Sequence, residues 1–511
     1  MSVSYANWQD SALAGVFEAR EADWRNGAIV YQVLVDRFAP PAHPDARRHL
    51  FPAPKRLRAW NELPRPGTYL DSEQLWSHEI DFWGGDLQGL IARLPYVHGL
   101  GIDVLYLNPI HLAYTNHKYD ALDYHQVSPE FGTRDDVKQL ADALHARGMK
   151  LVLDGVFNHM GRNAPLFQQA QADPASPFRD WFVFDDSLPG GARAWWRAQN
   201  LPELNLENPA VREHLYAGRD SVVRRWLRDG ADGWRLDVAF DLGFRYLGEL
   251  TEAAHAEKPG SLVVGEIGNY PREWYPSVDA MLMFTLRHVM VGAAAGRMEP
   301  ATAARMIGRI VADAGIENAL KSWVYLDNHD TPRLATVLPD EQRRRLALLL
   351  MFTLPGAANL YYGSELDMPG GDDPEMRAPM RWDLADAGCE ALDFTRRLVA
   401  LRKGHRALRV GNFRLAEATR LIAYERHTDR VGETVFVLAN PTTSEVSETV
   451  LFANSKLMDG SRMLDLLGNI RGELPRPKAG LLDVTIPPHT VWLLQPDVAP
   501  LGGYTHYKRV Q

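Results

Sequence analysis

The sequence predicts an α/β chain: a (β/α)8 TIM barrel with an excursion domain after strand 3 and a C-terminal antiparallel β-sandwich. Three observations carry this. Over the first 400 residues, short β-rich apolar runs alternate with stretches of helical periodicity, which implies a parallel sheet. The runs number eight, the count that closes a barrel. From about residue 405 the texture changes to apolar–polar alternation broken by turn residues, the pattern of half-exposed antiparallel strands.

The eight runs, in order, are "AIVYQVLVD" (28–36), "DVLYLNP" (103–109), "KLVLDGV" (150–156), "GWRLDV" (233–238), "SLVVGEI" (261–267), "AMLMF" (280–284), "SWVYLDN" (322–328) and "NLYYG" (359–363). Helical segments separate them. In "TRDDVKQLADALHARG" (133–148), Thr133 is placed to cap the first turn and Gly148 to end the last. Between the third and fourth runs lies an abnormally long stretch rich in Pro, Asn, Trp and Asp, before "NPAVREHL" opens a helix. This marks an excursion on the rim of the barrel. In the last part, "TRLIAYERH", "ETVFVLANP" and "LLDVTIPPHTVWLLQP" read as strands. The expected organisation is a barrel over 1–404 with a short N-terminal extension, interrupted by the excursion at 159–206. A sandwich over 405–498 and a tail over 499–511 follow.

Bulk properties exclude several function classes. The 511 residues, 46% of them hydrophobic, suffice for one large core and a smaller domain. The net charge of −9 is mild, and no block of Lys and Arg appears, so nucleic acid is not an expected partner. Cys389 is the sole cysteine, which rules out an intramolecular disulfide and cysteine-based metal sites. The longest apolar run, "LALLLMFTL" (346–354), is too short to span a bilayer. The N-terminus carries scattered acids and no signal-like apolar stretch. A cytoplasmic protein without a membrane partner is expected; a trimmed mature form of a secreted or periplasmic protein would read the same.

Strand C-termini of such a barrel face its active site, and here carboxylates cluster on them. Asp154 ends the third run, Asp237 the fourth and Glu266 the fifth; Asp330 follows the seventh within "DNHDTPR". A buried, unpaired carboxylate costs several kcal/mol or shifts its pKa. Single members could be caps or salt-bridge partners, but four on one rim point to function. Arg235 and Asp237 stand two apart, on one face of their strand. A guanidinium there favours the ionised carboxylate, suiting a nucleophile. Glu266 has no basic residue adjacent in sequence, so desolvation is expected to raise its pKa, suiting a general acid. One ionised and one protonated carboxyl are the equipment of a retaining glycosidase. Asp330 is then a third carboxylate, gripping sugar hydroxyls and favouring an oxocarbenium-like transition state.

These motifs resemble the α-amylase family of glycoside hydrolases over most of the barrel and into the sandwich. "DGVFNH" (154–159), "GWRLD" (233–237), "GEI" (265–267) and "NHD" (328–330) match its strand-end motifs in order. The resemblance implies Asp237 as nucleophile, Glu266 as acid/base and Asp330 as transition-state stabiliser. It implies Arg235 as partner of Asp237, and His159 and His329 lining the −1 sugar site. Asp154 and Asn158 support that site. "NHKYD" (116–120) adds His117 as a hydroxyl donor and Tyr119 as a stacking platform. Within the family, "NHKYDALDY", "FWGGDLQGL" and "PGGDDPEMRAPMRWD" resemble the neopullulanase, cyclomaltodextrinase and maltogenic amylase group, in which the last stretch supplies Asp373 and Arg377 to the −2 side. The implied substrates are maltooligosaccharides, cyclodextrins or related α-glucans, cut mainly at α-1,4 bonds.

Three departures bear on specificity. Glu203 stands where that group tends to carry lysine, and Phe240 and Asp241 where it has Asn and Glu. Only about 25 residues precede the first strand, so the group's extra N-terminal β-domain is expected to be absent. Oligomeric state is therefore open. The loop "DRFAPPAHPDARRHLF" lacks the ligands a calcium site would need, and Gly84 and Asp86 alone cannot fill a shell of six to eight oxygens. No metal or other cofactor is expected.

Three competing readings remain. Sugar rather than water could capture the covalent intermediate, giving a transglycosylase, or the same scaffold could act as an α-1,6 glucosidase. Asp154, His159, His329 and Asp330 could form a metal cluster, but no pair has helical i, i+4 spacing and Glu266 is left without a role. A catalytically silent sugar-binding protein would be expected to have lost a carboxylate. His125 and His145 read as surface or helix-facing residues, Arg343–Arg345 as a solvated helix start, and Trp195 and Trp196 as either sugar platforms or subdomain core.

Overall fold

The computed structural model describes residues 15–43, 45–385 and 388–510. The first fourteen residues of the N-terminal extension lie outside it. Eight parallel strands form one sheet: β1 (Ile29–Val33), β2 (Val104–Leu107), β3 (Lys150–Gly155), β4 (Gly233–Leu236), β5 (Leu262–Gly265), β6 (Ala280–Met281), β7 (Trp323–Val324) and β8 (Ala357–Tyr361). Their order is β6-β5-β4-β3-β2-β1-β8-β7. A parallel bridge between Leu282 and Trp323 joins the two edges, so the barrel closes. Strands β6 and β7 are shorter than their apolar runs suggest. Just past Val324 the backbone leaves the sheet to carry the loop of Asp327–Asp330, where ladder pairing gives way to side-chain contacts.

Alternation along each strand explains the two cores. Val30, Val104, Tyr106, Val152, Val264 and Trp323 point into the barrel and pack together. Ile29, Tyr31, Leu151, Leu153, Trp234 and Leu236 point outward, against the helices. Charged residues within these strands therefore project into the barrel interior, where Asp154 and Arg235 are register partners on neighbouring strands.

The helix after β2 spans Arg134–His145, and Thr133 and Asp136 form a reciprocal capping box at its start. The helix Glu341–Thr353 contains Arg343–Arg345, but the expectation that all three are solvated is corrected. Arg344 is largely buried and pairs with Asp367 at 2.9 Å, because the helix start packs on the loop after β8. His145 pairs with Asp232 at 2.7 Å, and His125 packs edge-on against His214.

The excursion holds a helix, Pro165–Ala172, a small aromatic core of Phe167, Phe182 and Phe184, and antiparallel bridges that include His159 with Glu203. That last bridge pins His159 to the excursion's return limb. Between β1 and the next barrel helix, residues 50–83 form a second rim lobe around Phe51, Leu75, Ile80 and Phe82. It contains an antiparallel pair of strands, Tyr69–Leu70 and Leu75–Trp76.

After the last barrel helix, Glu390–Gly404, a short helix Arg406–Val410 precedes the C-terminal sheets. These comprise β9 (Asn412–Leu415), β10 (Ile422–His427), β11 (Val435–Asn440), β12 (Val446–Leu451), β13 (Met463–Asp465), β14 (Leu481–Ile486) and β15 (Thr490–Pro496). Five strands pair as β9-β10-β11-β15-β13, and β12 pairs with β14. Phe436, Leu438, Trp492 and Leu494 of the larger sheet meet Val446, Val450, Leu482 and Ile486 of the smaller. Tyr507 of the tail is buried and its hydroxyl lies 2.6 Å from Ser461. No helix among the described residues is long and apolar enough to cross a membrane.

Candidate active site

At the C-terminal end of the barrel strands lies a cavity of about 680 Å³. It brings together nine of the residues that sequence reasoning singled out: His117, Tyr119, His159, Asp237, Glu266, His329, Asp330, Asp373 and Arg377. Arg235 and Asp154 lie directly beneath them, fully buried. Asn158 lies in a neighbouring groove, with Glu203 and Asp241. It stands 3.4 Å from His159 Nδ1, so it touches the site through His159. Trp195 stacks on His159 and lines the cavity, whereas Trp196 is exposed. Phe240 is on the cavity wall.

Arg235 organises the floor. Its Nη1 donates to Asp154 Oδ1 at 2.9 Å and to Asp237 Oδ1 at 3.1 Å. Its Nη2 stands 2.8 Å from Glu266 Oε1 as an ion pair. One guanidinium thus serves three carboxylates, since parallel pairing places Asp154, Arg235 and Val264 side by side. Two expectations need correction here. Glu266 has a basic neighbour after all, supplied by β4 rather than by its own strand. Asp237 is not held down by Arg235. Burial and the charge of Glu266 push its pKa well above the ordinary carboxylate range, and Arg235 offsets them only in part. With three carboxylates around one cation, the site retains a negative excess that favours uptake of a proton. Burial likewise lifts Asp154 to about 6, against Arg235 and the 2.6 Å hydrogen bond from Tyr106.

Glu266 is also aimed by backbone. Val238, immediately after Asp237, adopts a left-handed conformation with φ 45°, which is strained for a β-branched residue. That turn directs its N–H to Glu266 Oε2 at 3.1 Å.

Two histidines, His159 and His329, are held below the ordinary imidazole range. Burial, with Arg235 and Arg377 nearby, pushes His329 well below its usual pKa. Burial takes His159 to about 3. His329 Nδ1 accepts from the Gln32 amide at 2.8 Å, so its proton sits on Nε2, facing Tyr119 Oη at 2.5 Å and Asp330 Oδ2 at 3.1 Å. Tyr119 stacks parallel to His329 and donates to Asp154 Oδ2 at 3.1 Å. His117 Nδ1 accepts from the Tyr119 N–H at 3.1 Å. Its proton is therefore on Nε2, which points toward Glu79 at 3.4 Å.

Asp330 is 43% exposed and paired with Arg377 Nη2 at 3.2 Å. Arg377 Nη1 holds Asp373 at 3.1 Å, and His78 Nε2 reaches the same carboxylate at 3.2 Å. Burial opposes ionisation of Asp373, yet the His78 hydrogen bond and the Arg377 charge hold it below the ordinary range. Asp86 caps the helix Leu87–Ala92 and pairs with Arg47. Among the described residues no group of three or more His, Cys, Asp or Glu is placed to hold a metal ion.

Sequence reasoning missed Gln32, Tyr106, Tyr69, Trp76, His78 and Glu79. A polar residue inside the apolar run "AIVYQVLVD" was a signal for Gln32. The last four sit in the lobe 50–83, whose fold no short-range periodicity announces.

A family model described as alpha amylase, catalytic domain, matches residues 32–394. A cyclomaltodextrinase of Bacillus sp is 32% identical over 442 residues, covering 82% of this chain and 73% of its own. Neopullulanase 2 of Thermoactinomyces vulgaris is 32% identical over 492 residues, covering 92% and 78%. Among solved structures, a cyclic α-maltosyl-(1→6)-maltose hydrolase from Arthrobacter globiformis superposes with a TM-score of 0.76 at 28% identity, covering 93% of this chain and 100% of that one. The type III pullulan hydrolase from Thermococcus kodakarensis gives 0.78 at 27% identity, covering 93% and 82%. With its strand-end carboxylates gathered on one barrel rim, the chain belongs to the α-amylase family of glycoside hydrolases.

Proposed function

We propose that this chain is a retaining glycosidase that cleaves α-glucosidic bonds, mainly α-1,4, in maltooligosaccharides, cyclodextrins or related α-glucans. The observation that carries the reading is the single buried guanidinium of Arg235 touching both Asp237 and Glu266 at the cavity floor. Two carboxyls separated by the width of one guanidinium suit the roughly 5–5.5 Å of direct nucleophilic attack, not the wider gap that admits a water between them.

In the first step Asp237 attacks the anomeric carbon. The bond to the leaving oxygen breaks, and Glu266 gives that oxygen its proton. A glucosyl ester on Asp237 and a free acceptor end result. In the second step Glu266 takes a proton from water, the hydroxyl bonds to the anomeric carbon, and Asp237 departs as a carboxylate. Asp330, His117, His159 and His329 bind hydroxyls of the −1 sugar, Tyr119 stacks beneath it, and Asp373 with Arg377 holds the next unit. Arg235 and Asp154, with Asn158 behind His159, keep these groups oriented.

Two displacements at one carbon restore its configuration. NMR spectra taken early in hydrolysis of an α-linked glucan are expected to show the α-anomer first, followed by mutarotation. Appearance of the β-anomer first would defeat the nucleophile role of Asp237. Product analysis on linear, cyclic, pullulan-type and α-1,6-linked glucans then ranks the linkages.

The pH profile follows from the shared charge. The raised pKa of Asp237 means that acid removes the nucleophile early, so activity falls as pH drops through a value above the usual Asp figure of about 3.9. On the alkaline side the remaining proton of the pair is lost and activity falls again. A kcat/KM profile flat from about pH 4 to 9, spanning the ordinary carboxylate range and beyond, would contradict the pair.

A further inference from the structure

We infer that Trp76 and Tyr69 form an aromatic platform for a third glucosyl unit, beyond the one held by Asp373 and Arg377 on the non-reducing side of the cleaved bond. The inference rests on the α-glucan reading above and names the residues that select for chain length.

The lobe 50–83 has a buried core in which Leu75, Ile80 and Phe82 are all at most 3% exposed. Yet it leaves Trp76 and Tyr69 each 48% exposed, and both line the cavity. They are register partners in the two-stranded pair, with rings 5.6 Å apart and nearly perpendicular. Large ring surfaces left uncovered beside the carboxylates and histidines of the cavity suit a ligand that is apolar on its faces and polar around its rim. A pyranose is such a ligand, with C–H groups on its faces and hydroxyls at its edge.

Position supplies the subsite. A chain of contacts runs from Asp330 through Arg377 to Asp373, then to His78. The Trp76 ring stacks over His78 at 6.3 Å and 23°. The platform therefore follows the Asp373–Arg377 pair along the cavity wall, leading away from the reacting carboxyls.

The platform is also pre-organised. Buried Leu75 anchors it from one side. The Trp76 backbone N–H donates to Glu79 Oε2 at 2.7 Å, and His78 Nδ1 accepts from the Gly67 N–H at 3.0 Å. Asn116, next to His117 in the sugar-site loop, donates to the carbonyls of Glu79 and His78 at 2.7 and 2.8 Å. A sugar meeting these rings thus loses little free energy to ordering them.

The test compares wild type, Trp76→Ala and Trp76→Phe on two substrates. α-Glucosyl fluoride occupies the cavity floor alone, and its kcat/KM is expected to stay within about twofold of wild type in both variants, because no contact with the ring is made. For maltoheptaose, Trp76→Ala is expected to lower kcat/KM about tenfold, mainly through KM, the scale of one lost stacking contact. Trp76→Phe should recover part of that loss. In an Asp237→Asn background, titration calorimetry with maltoheptaose should show the same weakening on adding Trp76→Ala. Unchanged maltoheptaose kinetics and binding would overturn the platform, as would an equal loss on both substrates, which indicates a distorted floor. If wild type fails to turn over either substrate, the glycosidase reading falls, and the binding arm still decides the platform.

Discussion

Asp237→Asn is expected to lower turnover by at least about 10⁴-fold, the scale on which removal of a covalent nucleophile is felt. The amide keeps the shape of the carboxyl but cannot attack the anomeric carbon. Purified mutant retaining more than about a percent of activity would refute the assignment, since that exceeds what binding and the remaining groups supply. The fold should survive, and at neutral pH it should gain stability. The sign follows from linkage. Asp237 has a raised pKa in the fold, so its contribution is fully present below the unfolded-state value and is lost as pH rises through the folded one. Removing its charge relieves that loss. The Tm of the mutant should exceed that of wild type near pH 7, with the gap closing as pH falls below the ordinary carboxylate range. Arg235 remains satisfied meanwhile by Asp154 and Glu266.

Glu266→Gln is expected to divide substrates by leaving group. A glucan expels a sugar alkoxide, which departs only when protonated, so hydrolysis should fall about 10²–10⁴-fold, the range for a lost general acid. α-Glucosyl fluoride needs little protonation and should still form the ester on Asp237. That ester should then accumulate, because the substituted amide cannot activate water, and a burst of fluoride followed by a slow phase is the expected trace. Equal losses on both substrates would instead assign Glu266 a positional role. The substitution leaves the 3.1 Å hydrogen bond from Val238 N–H available to the amide oxygen, so gross rearrangement is not its expected effect.

Much of this molecule was legible along the chain. The barrel followed from eight apolar runs whose hydrophobicity is enforced by burial on both faces, and all eight occur as strands of one closed sheet. The carboxylates Asp154, Asp237, Glu266 and Asp330 stood out because charge after an apolar run is costly unless used. The capping box of Thr133 with Asp136 was half visible, in Thr133 itself. Trp195 could not be assigned from composition, as a small aromatic subdomain needs core and platform residues alike. Its stacking on His159 and its place in the cavity lining separate it from the exposed Trp196.

What the sequence alone determined is the set of chemical groups and the strand ends that carry them, because alternation along a β-strand is a local property. Charge state and the make-up of the cavity wall were decided by tertiary structure. Arg235 lies two residues from Asp237 but 31 from Glu266 in the chain. Only parallel pairing of β4 with β3 and β5 makes it the common counter-ion of three carboxylates. The reversal at Asp237, from an expected lowering of its pKa to a raised one, follows from that sharing. Desolvation and like charge act through space, and neither can be counted from neighbours in sequence. The lobe 50–83 is decided in the same way. Its Tyr69, Trp76 and Glu79 line the cavity, with His78 behind Asp373, and the lobe is tied there by contacts with Asp373, His117 and Asn116, which lie tens to hundreds of positions away.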